Sequence, residues 1–432
     1  MDVFVLIALA SAAPAEVLPN PQGPIYTNPA LLMAFFEFAP QSGAGMGGAA
    51  CACATPTGAK GEAMTFTRAS SGTCLKGPTV AGIANGDMVT CATNQARVMP
   101  GGDGSGGLGL LVEGARTNDA LRSQELDNAA WSTSGSAMTI TADQAVVPDG
   151  TTTAERLQIP SVIADTGESV RYQLVASGTR SASFFVKGNA SSGTIDVAAA
   201  VGGGGCISCS FNASTWTRCV AANIAGSNII EIGNQSITAV NCPSGHGAKG
   251  SLDVFVTDAQ SEVGAYASSY IATAGSTVTR ATELADLPVT FGAGTTGFSL
   301  SSTVVLPNSF ANQPILGAMI GDGALGGAGS TNYLLAQANG SAVVLAGTAG
   351  AGTPTGYTSA LTALINLHRY AVFHTGALLS VCMDGVCGAG AGGTYSAPTL
   401  TRLRIGNYSG TLNIADGVTK QVCLDPSPTR CR

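Results

Sequence analysis

The sequence predicts an all-β protein built as two consecutive β-sandwiches with an extended N-terminal arm. Three observations carry this. Runs of strand length, rich in β-branched and aromatic residues, recur with turn residues between them. No long run of helical period separates them, as a parallel α/β sheet would require. The composition is dominated by small residues, with 58 Gly in 432 residues and only 10% charged, against roughly 25% in typical soluble domains. At 45% hydrophobic the chain can bury sizeable cores. A surface so poor in charge predicts that other subunits cover much of it.

Residues 1–61 read as an apolar docking arm and a Gly/Ala/Cys-rich linker. Val3 to Ala13 resembles a secretory signal core, but no Lys or Arg precedes it, so an apolar arm is the reading adopted. It is too short to span a bilayer as a helix. Ala30 to Ala39 is a second apolar stretch, either a short helix or a strand. Residues 62–285 form the first expected sandwich. It opens on the alternating Met64-Thr65-Phe66-Thr67-Arg68. Ala137 to Thr141, Ala154 to Ile159, Val170 to Ala176, Arg180 to Lys187, Thr194 to Ala200, Arg218 to Ile224, Ile229 to Ile232 and Leu252 to Thr257 follow as strands. Residues 286–432 form the second, with strands at Phe298 to Val305, Tyr333 to Ala338, Ala342 to Ala346, His368 to His374, Leu378 to Met383 and Leu403 to Asn407.

Twelve cysteines could all pair. Cys382-Met383-Asp384-Gly385-Val386-Cys387 reads as a hairpin with Asp-Gly in a type I′ turn. Cys382 and Cys387 then fall opposite each other with Cα atoms about 4.5 Å apart, which a disulfide permits. Cys423 with Cys431, Cys74 with Cys91, and Cys219 with Cys242 are further expected pairs. Cys206 and Cys209 form a C-x-x-C, for which redox, zinc and structural-disulfide readings compete. The βαβ context of a redox motif is absent and the spacing to Cys219 and Cys242 matches no zinc ribbon, so structural disulfides are expected.

The sequence predicts no catalytic, cofactor-binding or metal residues. The 19 basic residues are scattered and the net charge is -7, which argues against a nucleic-acid partner. The glycines at 101–107 lack the following Lys of a phosphate loop. His368 and His374 share a strand face without an obvious third ligand. Glu113, Asp253, Asp258 and Glu262 are the acids nearest strands, read as turn or capping groups rather than glycosidase carboxylates. Trp131, Trp216, Tyr357, Tyr395 and Tyr408 are the aromatic candidates for glycan contact, although core burial is the favoured reading for both tryptophans.

Three segments resemble one family. Thr65-Phe66-Thr67-Arg68-Ala69-Ser70, then Gly109-Leu110-Leu111-Val112-Glu113-Gly114-Ala115-Arg116-Thr117-Asn118, then Gln260 to Tyr270 with Thr279-Arg280-Ala281 are similar, in that order, to motifs of bacteriophage tail and virion proteins. Asp127 to Trp131 and Pro148 to Thr152 fit the same pattern. The chain departs from it in its cysteines and in Ser261, where Leu is usual. The resemblance implies that the first sandwich is a jelly roll like those of carbohydrate-binding modules, with a structural role on the particle surface; the C-terminal part, with His368-Arg369-Tyr370-Ala371-Val372 and Val381 to Val386 around Asp384-Gly385, resembles a concanavalin/laminin-G-like sandwich. The implied partners are other virion proteins, further copies of the chain (a trimer is one arrangement) and a host-surface glycan. A secreted bacterial lectin or adhesin, and a spike-borne polysaccharide-degrading enzyme, are the competing expectations.

Overall fold

The computed structural model describes residues 34–37, 64–75, 88–100, 108–135, 138–147, 150–159, 169–199, 205–234, 251–264, 266–291, 298–306, 313–320, 332–338, 342–349, 355–360, 366–374, 378–384, 386–387, 391–392, 400–405 and 417–425. The protein is all-β: strands and turns account for every described segment, and no helix occurs among them. No helix there is long and apolar enough to cross a membrane.

The chain forms two compact units. One gathers residues 1–69, 93–114 and 282–432; the other gathers 70–92 and 115–281. The cuts therefore differ from those at 62 and 285 expected from sequence. The difference arises from pairing that no local pattern encodes. Leu108–Val112 joins Gly417–Asp425 through Leu111 opposite Val418, and Arg97–Pro100 joins Leu108–Val112. Ala34–Glu37, within the expected arm, is a strand lying along Gly417–Asp425 in the register Phe35 to Cys423. The rest of residues 1–61 lies outside the described residues.

In the second unit, Ser169–Gly188 and Thr217–Asn234 are long antiparallel strands. Each joins two runs that the sequence pattern reads as separate. The register shifts between Leu174 and Ala182, and Asn223 and Gly226 opposite adopt left-handed backbone angles. Asn and Gly tolerate that region at little cost. Such bulges let one strand turn a corner between two sheet faces. Beyond the corner, Ser169–Gly188 pairs with Leu252–Val263, which continues to Ala154–Ile159 and Thr139–Ala145. Before it, the strand pairs with Ser132–Gly135, while Thr217–Asn234 pairs with Gly193–Ala198. The two halves face one core: Phe184, Val186, Leu157, Ile159, Val254 and Val256 from one half, Ile195, Val197, Ile230 and Ile232 from the other. Each fully buried side chain of this size contributes roughly 1.5–3 kcal/mol. Alternation sends Phe185 and Phe255 to the opposite face, against Trp216, Val147 and Ala154.

The first unit holds a nine-stranded and a seven-stranded sheet. They touch where Thr355–Ala360 meets Leu378–Met383 and where Gln313–Ile320 meets Asn366–His374. The hairpin around Asp384 has the expected register, with Cys382 opposite Cys387 and Met383 opposite Val386. Asp384 has φ 50°, as a type I′ turn requires of its first central residue.

Candidate functional site

The motif residues read from the sequence fall into two buried polar clusters. The first lies wholly within the first unit. Arg97 donates through Nε to Glu283 Oε1 at 2.5 Å and through Nη2 to Glu283 Oε2 at 2.6 Å. Its Nη2 also reaches Glu113 Oε2 at 2.5 Å. Arg68 Nη1 donates to Glu283 Oε1 at 2.7 Å. The backbone N–H of Glu113 donates to Glu283 Oε2, and that of Glu283 to the Glu113 carbonyl. All four side chains are buried. Burial opposes the Arg97 charge, and the carboxylates of Glu283 and Glu113 outweigh it, so the proton is held more tightly than usual. The chain crosses between units after Ala69, Ala92, Gly114 and Ala281. A cluster residue stands within five positions of each crossing. The cluster clamps four distant segments of the first unit together, and its carboxylates are committed to it.

The second cluster fastens the segment after Leu252–Val263. Glu262 is buried and accepts from the Ser268 N–H at 2.6 Å, Ser268 Oγ at 2.7 Å and Gln260 Nε2 at 2.8 Å. Burial pushes its carboxyl up, and the Ser268 and Gln260 donors oppose that. Arg116 stacks over the Tyr266 ring at 4.6 Å, with Nε 3.8 Å from Glu262. Asn118 donates to the carbonyls of Ala259 and Ile271 and accepts from the N–H groups of Ala120 and Ser261. Ser261 acquires a reason: its Oγ accepts from the buried Arg180 Nε at 3.1 Å, which a Leu could not do. Asp258 accepts from Gln124 Nε2 at 2.8 Å.

A more open constellation sits on the outer face of the strands Ala154–Ile159 and Leu252–Val263. Arg156 grips Asp253 with a two-pronged contact at 2.8 and 2.7 Å, and Asn189 Nδ2 donates to the same carboxylate at 3.1 Å. The Arg156 and Asp253 side chains are 31% and 37% exposed. The Arg156 bonds hold the Asp253 carboxyl below its ordinary range. Phe255 and Lys187 lie on this face too, with the Lys187 ammonium 5.8 Å from the centre of the Trp216 ring. Fixed donors and acceptors beside an apolar surface suit the hydroxyl-rich edge of a sugar. Sequence reading counted Asp253 among isolated acids and missed Arg156 and Asn189. Only the register reveals the pair, since Gln158 opposite Asp253 sets Arg156, two residues away on the same face, beside it.

Both tryptophans are core residues, which agrees with the favoured reading and removes them as candidate glycan contacts. Trp131 is 2% exposed and donates Nε1–H to the Leu121 and Arg122 carbonyls. Trp216 is 7% exposed and donates to Val146 O. Neither ring offers a free face. Tyr357 is placed only by its backbone, opposite Leu345; Tyr395 and Tyr408 lie outside the described residues.

Cys91, Cys206 and Cys382 are disulfide-bonded. Cys209 and Cys219 are thiols, which corrects two expectations, the bridge from Cys219 to Cys242 and the structural disulfide at Cys209. Cys206 and Cys209 stand three apart on the strand Cys206–Phe211, so they project from opposite faces about 10 Å apart, beyond disulfide reach. Cys219 packs in the core opposite Phe184, where it acts as a small apolar residue. Cys74 lies opposite Val89, two residues from Cys91. Cys423 lies on Gly417–Asp425; Cys242 and Cys431 fall outside the described residues. Non-reducing peptide mapping is expected to join Cys382 to Cys387. Replacing both by Ala is expected to lower stability by only about 2 kcal/mol, because the closed loop is short. Urea unfolding of the doubly substituted chain measures this.

No family model matches the chain, and no curated protein matches it. Among solved structures it is similar to Trypanosoma rangeli sialidase in a mutant with trans-sialidase activity, at 14% identity over 34% of this chain and 28% of that one, with a TM-score of 0.24. It is similar to domain 4 of AbnA, an extracellular arabinanase from Geobacillus stearothermophilus in complex with arabinotriose, at 10% identity over 35% and 75%, with a TM-score of 0.25. It is also similar to the exoplasmic/lumenal domain of VIP36, at 8% identity over 33% and 74%, with a TM-score of 0.25. The chain thus spans little more than a quarter of the sialidase's length.

Proposed function

We propose that this chain is a structural component of a bacteriophage particle, assembled with other copies of itself and with other virion proteins, that holds a host-surface glycan on the Arg156–Asp253 face without cleaving it. One observation carries the reading. Glu113, Asp253, Asp258 and Glu262, the four acids that sequence reading weighed for hydrolysis, are each engaged by internal donors. A catalytic acid needs a substrate-facing carboxyl with a raised proton affinity; Glu113, Asp258 and Glu262 are buried fastenings, and on the exposed face Arg156 holds the Asp253 carboxyl below its ordinary range. The scarcity of charge in the sequence supports burial of surface by neighbouring subunits.

The full chain is expected to be retained on immobilised polysaccharide from the host envelope with no release of reducing ends. Replacing Arg156 and Asp253 together by Ala should weaken retention about tenfold, since the charged donor and acceptor of the site are both removed. Mass spectrometry of purified particles should find the chain. Sugar release abolished by one acidic substitution would overturn the reading, as would absence from particles; the latter favours a secreted adhesin.

A further inference from the structure

Glu155 stands apart from every other acid described. It lies on the core-facing side of Ala154–Ile159, in line with Leu157 and Ile159, and is 1% exposed. Its Oε2 has no hydrogen-bond partner. It also marks a break in the ladder. Ala154 pairs with Ala145 and Arg156 with Thr141, so Glu155 alone opposes the three residues Ala142, Asp143 and Gln144. Asp143 at the centre of that bulge has φ 56°. A bulge of this kind re-aims side chains next to it.

The charged neighbours are mostly of one sign. Asp143 acts on Glu155 from Thr139–Ala145, and Glu125 and Asp127 act from the segment before Trp131. Arg171, on Ser169–Gly188, is the cation that opposes them, yet its guanidinium is committed elsewhere: Nε to Leu126 O at 2.6 Å, Nη1 to Thr133 Oγ1 at 2.8 Å and Nη2 to Asn128 O at 3.1 Å. On the other flank Glu155 is paired with Val256, which offers no charge. An ionised carboxylate in this position has one buried oxygen without a donor, and the cation that opposes its acidic neighbours is engaged elsewhere.

We infer that Glu155 is a proton-operated latch, which as the neutral acid lets the edge strand Thr139–Ala145 stay paired with Ala154–Ile159 and on ionisation releases it. Burial, then repulsion from Asp127, Asp143 and Glu125, pushes the carboxyl up to about 8. An unfolded Glu ionises near 4.3. The native state therefore holds one more proton than the unfolded chain between those values. The latch's stabilising contribution is complete below about pH 4 and declines as pH rises, to be lost above about pH 8. Strand release in mildly alkaline solution is the consequence.

The test compares the full chain with Glu155→Gln, which keeps the shape and stays neutral. Urea unfolding from pH 5 to 9 should show stability falling with pH in the native chain, by up to a tenfold change in the folding constant per pH unit, and less steeply in Glu155→Gln. Hydrogen exchange at 139–145 should quicken on passing from pH 7 to 9 in the native chain, relative to the variant at the same pH. Equal pH slopes in the two proteins would overturn the latch. So would stabilisation of the native chain, but not of the variant, by calcium at pH 9, which would make the carboxylate a cation ligand. Should Glu155→Gln not fold, the carbon resonance of the native Glu155 carboxyl decides: titration near pH 8 supports the latch, and titration near 4–5 overturns it.

Discussion

Replacing Glu283 by Gln is expected to destabilise the first unit by about 3–5 kcal/mol. Glu283 accepts from three guanidinium nitrogens and from the Glu113 N–H. Gln is nearly isosteric, but its NH₂ group must face at least one of these donors. Two positive charges, Arg68 and Arg97, then remain buried with Glu113 as their one carboxylate in the cluster. The loss arises mainly from stranded charge, which is why it exceeds the value of a surface ion pair, about 0–1 kcal/mol. Arg156 with Asp253 is the internal control: it is one-third exposed and screened by solvent, so its removal should cost far less than Glu283→Gln. Concerted replacement of all four cluster residues by apolar side chains of matching volume should be far milder than Glu283→Gln, since no charge is then stranded. Urea unfolding with unchanged slope measures each case. A Glu283→Gln effect below 1 kcal/mol would show that water or a neighbouring dipole already compensates these groups.

The clamp also explains what could and could not be read in the chain. Strand identity is local: alternation and β-branched content locate Ala154 to Ile159 or Leu378 to Met383, because the side-chain period is a property of a single segment. The Cys382 hairpin was legible for the same reason, since Asp-Gly fixes both turn type and register within six residues. Partner choice is different. Nothing in Leu108–Val112 says that it lies beside Gly417–Asp425, some three hundred residues on. Nor does the sequence distinguish two strands from one that bends, as Ser169–Gly188 does, because a corner is a shift in register between partners. Arg68, Arg97, Glu113 and Glu283 read as scattered charges for this reason. Their pairing exists only once four distant segments meet. The Arg156–Asp253 pair was hidden in the same way, across nearly a hundred residues.

The second large effect is expected at Asn118, the last residue of the segment Glu113 to Asn118. Asn118→Asp changes one nitrogen to oxygen, with no change of volume. The native amide donates to the carbonyls of Ala259 and Ile271, at 3.1 and 2.8 Å, and accepts from Ala120 and Ser261, both at 3.0 Å. Four backbone groups of three segments thus meet in one fully buried side chain. In the Asp variant the accepting oxygen is kept, but the second oxygen confronts two carbonyls at donor distance. Two lost bonds and a buried charge against two dipoles should cost at least about 3 kcal/mol at neutral pH. The sign of the pH dependence follows. The folded state disfavours the ionised carboxylate, so the introduced group titrates above the unfolded value of about 3.9. The variant is therefore least impaired below about pH 4, where its neutral hydroxyl can donate to Ile271, and loses stability as pH rises. Thermal unfolding of Asn118→Asp beside Asn118→Ala separates the two contributions. The Ala variant loses the same donors without gaining charge, so its deficit should be nearly independent of pH. If the Asp variant were equally insensitive, the carbonyls of Ala259 and Ile271 would have to turn away from residue 118, leaving Glu262, Gln260, Arg218 and Ser123 to hold the closing segment.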